Sequence, residues 1–495
     1  MRQNSLIGGT VVLGLAAICN RIIGIAFRAY VVRAVGEEAL GLYQMAFPLY
    51  TGIASVATAG ISIGVAKIVT DHRQKGSMSG ATSTLKAGCL LALITSFLSM
   101  LILFFGRHII AVDLLKDERT LLPLLALIPA LPIIAMAGAL RGFCQGMRFM
   151  SLVALGLLIE QVAHTVFALA IIARLGSSPP ETLAMGLALG YTGGELLGLI
   201  SIGLSALLAT RHHKAPAPGQ MAPLIAMVLP VATGRIFLAL SSTLNNVLLP
   251  RSLRFMGYSA TEAAVLYGQL TGMALSVLFL PAVLTFPLAS NLLPAMAEST
   301  HSTSPKQKQH RFQRGLSYAL LLGMPSSVLF ITVGPELCQL LFGVPAAGQL
   351  LALLGWVAWL IYLQHITTAT LQGLGKPALP TRNAVISTLL SSLTIIILSR
   401  FYGSLGITAA VFAIMVGTSC GAVLGLVAVL KETGGTKATT SIILRGATAA
   451  AVSLFMTLYA LDVLALAGLP RILLAGVVIA LSFYPLALIF KLHRA

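Results

Sequence analysis

Acidic side chains are scarce in this chain: 14 Asp and Glu among 495 residues, with charged residues of both signs reaching only 9%. A soluble domain carries about a quarter of its residues charged, so a water-facing surface of ordinary composition is excluded. Cysteine is also sparse. The five (Cys19, Cys89, Cys144, Cys338, Cys420) lie far apart with no C-x-x-C pair, which excludes a disulfide framework and a thiolate metal site. They read as small buried apolar residues. Long polar segments are missing too. The most extended, HSTSPKQKQHRFQR at 301–314, is too short to fold as a domain, so function must reside in or between apolar helices. No Walker A motif exists, because GLGKPAL at 373–379 lacks the glycine spacing and the Ser or Thr. That argues against direct use of ATP and leaves an ion gradient or the membrane potential as the energy source.

What the chain does have is oil. Apolar residues make up 57% and mean hydropathy is +0.94. Crossing the hydrocarbon takes roughly 20 apolar residues, and about fourteen such windows follow one another. The first covers 5–33, the second 39–69 and the eighth 260–297. The expected fold is an all-α polytopic membrane protein. The first run continues too far for a signal peptide and reads as an uncleaved helix.

The net charge of +18 is mostly a topology signal. With both termini in the cytoplasm, most Lys and Arg fall in cytoplasmic loops, as the positive-inside rule requires. Anionic bilayer lipids are the natural partners of this excess. Nucleic acid is not expected, since no basic cluster is interleaved with exposed aromatics. The location is the cell membrane.

The chain repeats itself. Gln-Gly at 145–146 recurs at 372–373, Gly176 at Gly403, and GELLGL at 194–199 resembles GAVLGL at 421–426, all at one offset of 227. NRIIG at 20–24 resembles GRIFL at 234–238 at a shorter offset. Two six-helix lobes in parallel orientation follow, residues 1–210 and 222–431, around a central cavity suited to alternating access. Residues 440–490 form a two-helix appendix. The linker RHHKAPAPGQM joins the lobes on the cytoplasmic side.

Ionised residues inside a span are the candidate site, because each costs about 3 kcal/mol at the bilayer centre on insertion scales. Arg21 and Arg28 are seven residues apart and share a helix face with Gly24. Arg235 is the repeat partner of Arg21, and Asn245 in SSTLNN adds an amide near it. Lys67 is a fourth cation, placed where an anchoring role fits equally well. These five are the substrate-binding candidates for an anionic cargo, since guanidinium forks match phosphate oxygens. Glu160 and Glu195 are the opposing charges. Each either pairs with an arginine or binds a coupling proton or cation. His164 and His365 read as hydrogen-bonded core histidines. Pro48, Pro281 and Pro287, with Pro294, are expected to kink the second and eighth helices into hinges. Ser259 and Glu262 have capping-box spacing. No metal or cofactor is expected.

The runs RIIGIAFRAYVVRAVGEEALGLYQMAFPLY, TAGISIGVAKIV and LYGQLTGMALSVLFLPAVLTFPLASNLLPAMAE resemble the stage V sporulation protein B family, within the multidrug/oligosaccharidyl-lipid/polysaccharide (MOP) flippase superfamily. The likeness extends along the whole chain. It implies a flippase of polyprenyl-diphosphate-linked glycans, lipid II or a related cell-wall precursor, acting in spore cortex synthesis. A cell-wall synthase is the protein partner this setting suggests. Related lipid II flippases carry arginines in the first helix, and Arg21 and Arg28 match that pattern with one extra residue between them. Ser62 stands where the family often has proline. Two other functions compete. A multidrug or cation extruder of the same fold would display acids in its cavity. A membrane enzyme of lipid-linked sugars would need a large external loop with paired acids, which the sequence lacks.

Overall fold

Two glycines decide how the N-terminal hydrophobic segment is cut. In the computed structural model, which describes residues 6–58, 60–210, 220–300, 305–490 and 492, helix α1 (Leu6–Ala57) spans both of the first two expected runs. Its geometry fails once, at Gly36, with φ 81° and ψ 171°. Only glycine adopts that region without strain, so α1 is two helices meeting at one residue. Pro48 does not interrupt it, contrary to expectation. The helix continues through the proline, where Thr51 Oγ1 donates to the Pro48 carbonyl at 3.0 Å and Ser55 Oγ to the Thr51 carbonyl at 2.8 Å. The break falls beyond Ala57, and Gly60, left-handed at φ 76°, starts α2 (Ile61–Gln74).

Packing groups the chain into two units, residues up to Arg254 with Tyr258–Gly268, and the remainder. In the first, α3 (Met78–His108), α4 (Leu121–Leu127), α5 (Ala130–Gly146), α6 (Met150–Leu175), α7 (Pro180–Thr210), α8 (Met221–Phe255) and α9 (Ala260–Tyr267) join α1 and α2. One core gathers Ile61, Val65, Ala92, Phe143, Leu224 and Val228. A second lies around Tyr50, Leu103, Leu124, Leu131 and Ala188. Helix α8, which the repeat assigns to the second lobe, packs here: a Cβ on Gly64 of α2 would meet Val228 at 2.8 Å and Leu224 at 3.2 Å. Most of the linker, residues 211–219, is outside the described residues. The capping box opens α9 as its spacing predicts. Ser259 Oγ accepts from the Glu262 amide at 3.2 Å, while Glu262 Oε2 accepts from the Ser259 amide at 2.8 Å. Those bonds hold the Glu262 carboxyl below the usual carboxylate range.

The expected eighth span is divided. After α9 comes a π-helical stretch, Gly268–Ala274, then α10 (Leu275–Leu278), a break at 279–281 that contains Pro281, and α11 (Ala282–Thr300). The Pro287 side chain is outside the described residues. Proline lacks the amide that would continue the ladder, which accounts for the stop at Pro281. The second unit continues with α12 (Pro305–Phe342), α13 (Pro345–Gly373), α14 (Ala378–Phe401), α15 (Ile407–Thr433), α16 (Thr436–Leu464) and α17 (Leu469–Ile489). Its core gathers Phe312, Leu320, Met324, Tyr362, Ile366 and Phe483. Phe483 brings α17 into it, so the C-terminal pair packs on this unit.

Among the described residues, 11 helices are long and apolar enough to cross a membrane, or up to 12 if the bent pair Met221–Leu229 and Ala232–Phe255 forms one span. The count falls short of fourteen for two local reasons. Gly14–Gln74 registers as a single 61-residue stretch, and 260–297 is too fragmented to register.

Candidate functional site

Glycines on α7 bring the charges of the first unit together. Gly190, Gly194 and Gly198 recur every fourth residue and so share one helix face. A Cβ on Gly190 would strike the Ala168 backbone, one on Gly194 the His164 ring and backbone, and one on Gly198 would lie 2.8 Å from Glu160 Oε2. Small-residue stripes of this kind let helix backbones approach closely. The space they leave on α7 is filled by the Glu160 and His164 side chains of α6.

Arg141, near the end of α5, completes the group. Its Nη2 is ion-paired with Glu160 Oε2 and lies 3.9 Å from Glu195 Oε2. His164 Nε2 is 3.9 Å from Glu195 Oε1. The Glu195 side chain is only 3% exposed, and its Oε2 has no hydrogen-bond partner, nor does His164 Nε2. One donor atom from each of Glu160, His164 and Glu195 lies within 4.8 Å of the others, a spacing in which a cation can be held. Aromatic rings extend from this cluster. Tyr191 lies 4.7 Å, centroid to centroid, from the His164 ring and 5.6 Å from Tyr50, and it meets Phe47 edge-on at 5.1 Å. Phe47 in turn lies 5.3 Å from Tyr43.

Arg21 and Arg28 approach the same helix, α6, from α1. Asn20 Nδ2 donates to the Leu157 carbonyl at 3.3 Å, and a Cβ on Gly24 would meet Gln161 at 3.9 Å. Both arginines are half-buried, whereas Leu15, Ile22 and Tyr30 on the same helix are more than half exposed. The two guanidiniums lie within electrostatic range of each other, and Arg28 of Tyr43. Arg235 and Lys67 are exposed, and Asn245 is half-buried on α8. The structure thus associates Arg21 with Arg28, and Glu160 with Glu195. His365 in the second unit is 3.2 Å from Thr285 Oγ1, the hydrogen-bonded core role expected of it.

Sequence reasoning missed Arg141, although it stands inside the fourth expected span, five residues before Gly146. It read Gly194 and Gly198 as repeat markers and not as contact points. It also missed Arg119, which bonds Asp117 Oδ2 at 2.7 Å, Glu38 Oε1 at 2.5 Å and Thr261 Oγ1 at 3.3 Å. That group fastens the stretch after Gly36 to the start of α4 and to α9.

The repeat is visible in the packing. Gly417, Gly421 and Gly425 on α15 repeat the α7 glycines at the offset of 227 and are as closely faced: a Cβ there would meet Ser391 at 2.8 Å, Ser387 Oγ at 2.8 Å and Thr367 Oγ1 at 2.7 Å. In the second unit Ser387, Ser391 and Ala422 stand in the places of Glu160, His164 and Glu195.

An all-helical chain with this many apolar spans, its charges gathered at helix contacts, is a multi-pass membrane protein. The fold is that of MOP-superfamily transporters. It matches a structure of the lipid II flippase MurJ in an inward closed conformation with a TM-score of 0.69, covering 97% of this chain and 99% of that one at 15% identity. An inward-facing multidrug resistance MATE family transporter also gives 0.69, over 84% of this chain and 96% of that one, at 15% identity. The pattern of polysaccharide biosynthesis proteins matches residues 6–300, and the chain belongs to that family. It is similar to Stage V sporulation protein B of Bacillus subtilis (strain 168), 27% identical over 425 residues, 84% of this chain and 82% of that protein. With Lipid II flippase MurJ of the same organism it shares 24% over 407 residues, 76% of this chain and 74% of that protein. Among these, MurJ is a flippase and the MATE protein a transporter by name, and the chain is a transporter and not an enzyme.

Proposed function

We propose that this protein moves a lipid-linked, diphosphate-bearing glycan precursor across the cell membrane, lipid II or a close relative, in cell-wall synthesis of the kind that builds a spore cortex. The observation that carries the reading is the half-buried pair Arg21 and Arg28 on α1. Buried positive charge is costly in a membrane unless a ligand or partner compensates it. A diphosphate headgroup supplies that compensation, and its own transfer through bare hydrocarbon would cost on the order of tens of kcal/mol. Similarity to a lipid II flippase and to a sporulation protein supports the choice of cargo. In this reading both termini are cytoplasmic, an ion gradient or the membrane potential supplies the energy, and a cell-wall synthase takes up the product.

The test is transport of fluorescent lipid II in vesicles reconstituted with the purified protein. A charge-assisted hydrogen bond contributes about 1.5–3 kcal/mol, so Arg21→Ala and Arg28→Ala should each slow flipping roughly 10- to 150-fold while leaving the protein folded. Wild-type rates in both variants would refute the arginine site. Drug efflux in place of lipid II flipping would shift the assignment to the multidrug branch of the fold.

A further inference from the structure

Helix α5 ends in a turn that the chain closes differently elsewhere. The Arg148 amide donates to the Gln145 carbonyl at 2.9 Å and the Phe149 amide to the Cys144 carbonyl at 2.8 Å. Such a turn needs a left-handed residue, usually glycine, and here it is Arg148, at φ 65°. The repeat supplies the comparison. At the offset of 227, α13 ends in the same turn, its two bonds 3.0 and 2.9 Å long, with Gly375 at φ 75° in that place. The residue after it, Lys376, is ion-paired with Glu432 at 2.6 Å. Helix α2 also closes this way, on Gly76 at φ 68°. A side chain in the left-handed region strains the backbone, so α5 keeps an arginine where glycine would close the turn without strain.

A second arginine stands beside it. The end of α2 packs on the end of α5: a Cβ on Gly146 would lie 2.7 Å from the Ala66 carbonyl oxygen and 2.8 Å from Val69. Arg73 is one turn beyond Val69 on that face of α2 and lies within electrostatic range of Arg148. Among the described residues neither arginine is ion-paired, and Arg73 Nε is buried with no hydrogen-bond partner. Adjacent like charges repel, and a buried donor left without a partner is costly. An anion that accepts from both guanidiniums relieves both. Directly after the turn, α6 starts at Met150 with no side-chain cap, so its first amides lack a helical partner and add to the attraction for an anion. The positive-inside rule asks only for basic residues in a loop. It does not require two guanidiniums side by side, nor one of them in a strained turn.

We propose that Arg73 and Arg148 form a binding site for one phosphate group. A guanidinium takes phosphate oxygens two at a time, and Arg73 Nε with a neighbouring Nη is such a fork. The apolar stretches that contain α2 and α5 both end at this corner, where the phosphate of a lipid headgroup and a phosphate from solution are both within reach. Binding here does not depend on what the protein transports.

The test uses the purified full-length protein in phosphate-free detergent buffer. Native mass spectrometry counts bound dioleoyl phosphatidic acid, with dioleoylglycerol, the same lipid without its phosphate, as the control. Equilibrium dialysis measures radioactive inorganic phosphate. The wild type should bind one equivalent of at least one phosphate probe saturably; phosphatidic acid alone identifies a headgroup as the source, and inorganic phosphate identifies a solute. Arg73→Gln and Arg148→Gly should each weaken that binding at least tenfold. Lys86→Gln removes an exposed cation of α3 with the same change in net charge and should leave the binding unchanged. Arg148→Gly also supplies the residue that closes α13, so without phosphate it should unfold at no lower temperature than the wild type; an arginine kept for structure predicts a loss. No saturable phosphate binding, equal binding of dioleoylglycerol, an equal loss in Lys86→Gln, or an Arg148→Gly protein that unfolds earlier or binds with unchanged affinity would each overturn the assignment.

Discussion

Alanine at Gly194 separates a contact set by backbone from one set by side chains. Its Cβ would lie 2.5 Å from the His164 backbone nitrogen and 2.6 Å from the ring Cγ, against a floor of 3.0 Å for real Cβ atoms. No rotamer change moves a backbone nitrogen, so α6 and α7 must separate. Overpacking of this kind costs about 1–3 kcal/mol, offset by the roughly 1 kcal/mol that alanine gains over glycine in a helix. The net is a destabilisation of up to about 2 kcal/mol. At the repeat position Gly421, a Cβ would meet Ser387 Oγ at 2.8 Å and Gln364 Nε2 at 2.9 Å. Both are ends of side chains and can shift, though Gln364 Nε2 donates to the Thr418 carbonyl and Ser387 Oγ to the Asn383 carbonyl, each at 2.7 Å, so the helix preference offsets the disturbance and Gly421→Ala should be close to neutral. The assay is thermal unfolding in detergent followed by maleimide labelling of a single retained cysteine. Cys144 reports the first unit and Cys338 the second, both buried at 0% exposure. At about 2–4 °C per kcal/mol, Gly194→Ala should lower the Cys144 transition by a few degrees, and Gly421→Ala should leave the Cys338 transition in place. Equal losses in the two variants, or an unchanged Cys144 transition, would refute the reasoning.

Three further outcomes are expected. Gly36→Ala should destabilise by about 1–3 kcal/mol although nothing lies near its Cβ, because the cost is in the backbone; the unfolding midpoint in denaturant measures it, and Gly14→Ala, in equally open space without the positive φ, is the control. Arg119→Met strands the Asp117 carboxylate, 3% exposed, and should cost about 1–3 kcal/mol; adding Asp117→Asn should recover part of the loss in the same assay. Glu262 has its folded pKa below the unfolded one, so its contribution to the start of α9 is present above the unfolded carboxylate pKa and is lost as pH falls through the folded value. Hydrogen exchange at the first amides of α9 should therefore speed up on acidification, and Glu262→Gln should remove that pH dependence.

Much of the architecture was legible in the chain itself. Hydropathy is a local property, and in a bilayer backbone polar groups must be satisfied within the protein, which apolar runs of about 20 residues or more achieve as helices and not as the shorter strands of a barrel. Composition and run length alone therefore determined an all-helical multi-pass protein. The Ser259–Glu262 cap and the stop at Pro281 were equally local, being settled by residues within one turn. Pro48 shows the limit. Proline predicts a kink, yet the helix runs through it, and the break falls at glycine, where the backbone can enter the left-handed region without strain. The site was legible only in pieces. Glu160 and Glu195 stood out as charges inside spans, but their partner could not be assigned from sequence. It proved to be Arg141, on a third helix. That meeting depends on how α5, α6 and α7 are rotated about their axes and how closely they approach, quantities set by which faces pack together. The glycines on α7 allow the approach, but only the folded bundle shows that His164 and Glu160 fill the space they leave. The same holds for α8: the repeat places it at the head of the second lobe, and contacts through Gly64, Leu224 and Val228 place it with the first unit. Sequence fixes which segments are helical because that choice is made by neighbours in the chain. Which charges share a pocket is decided by residues far apart in it, and only tertiary packing brings them within reach.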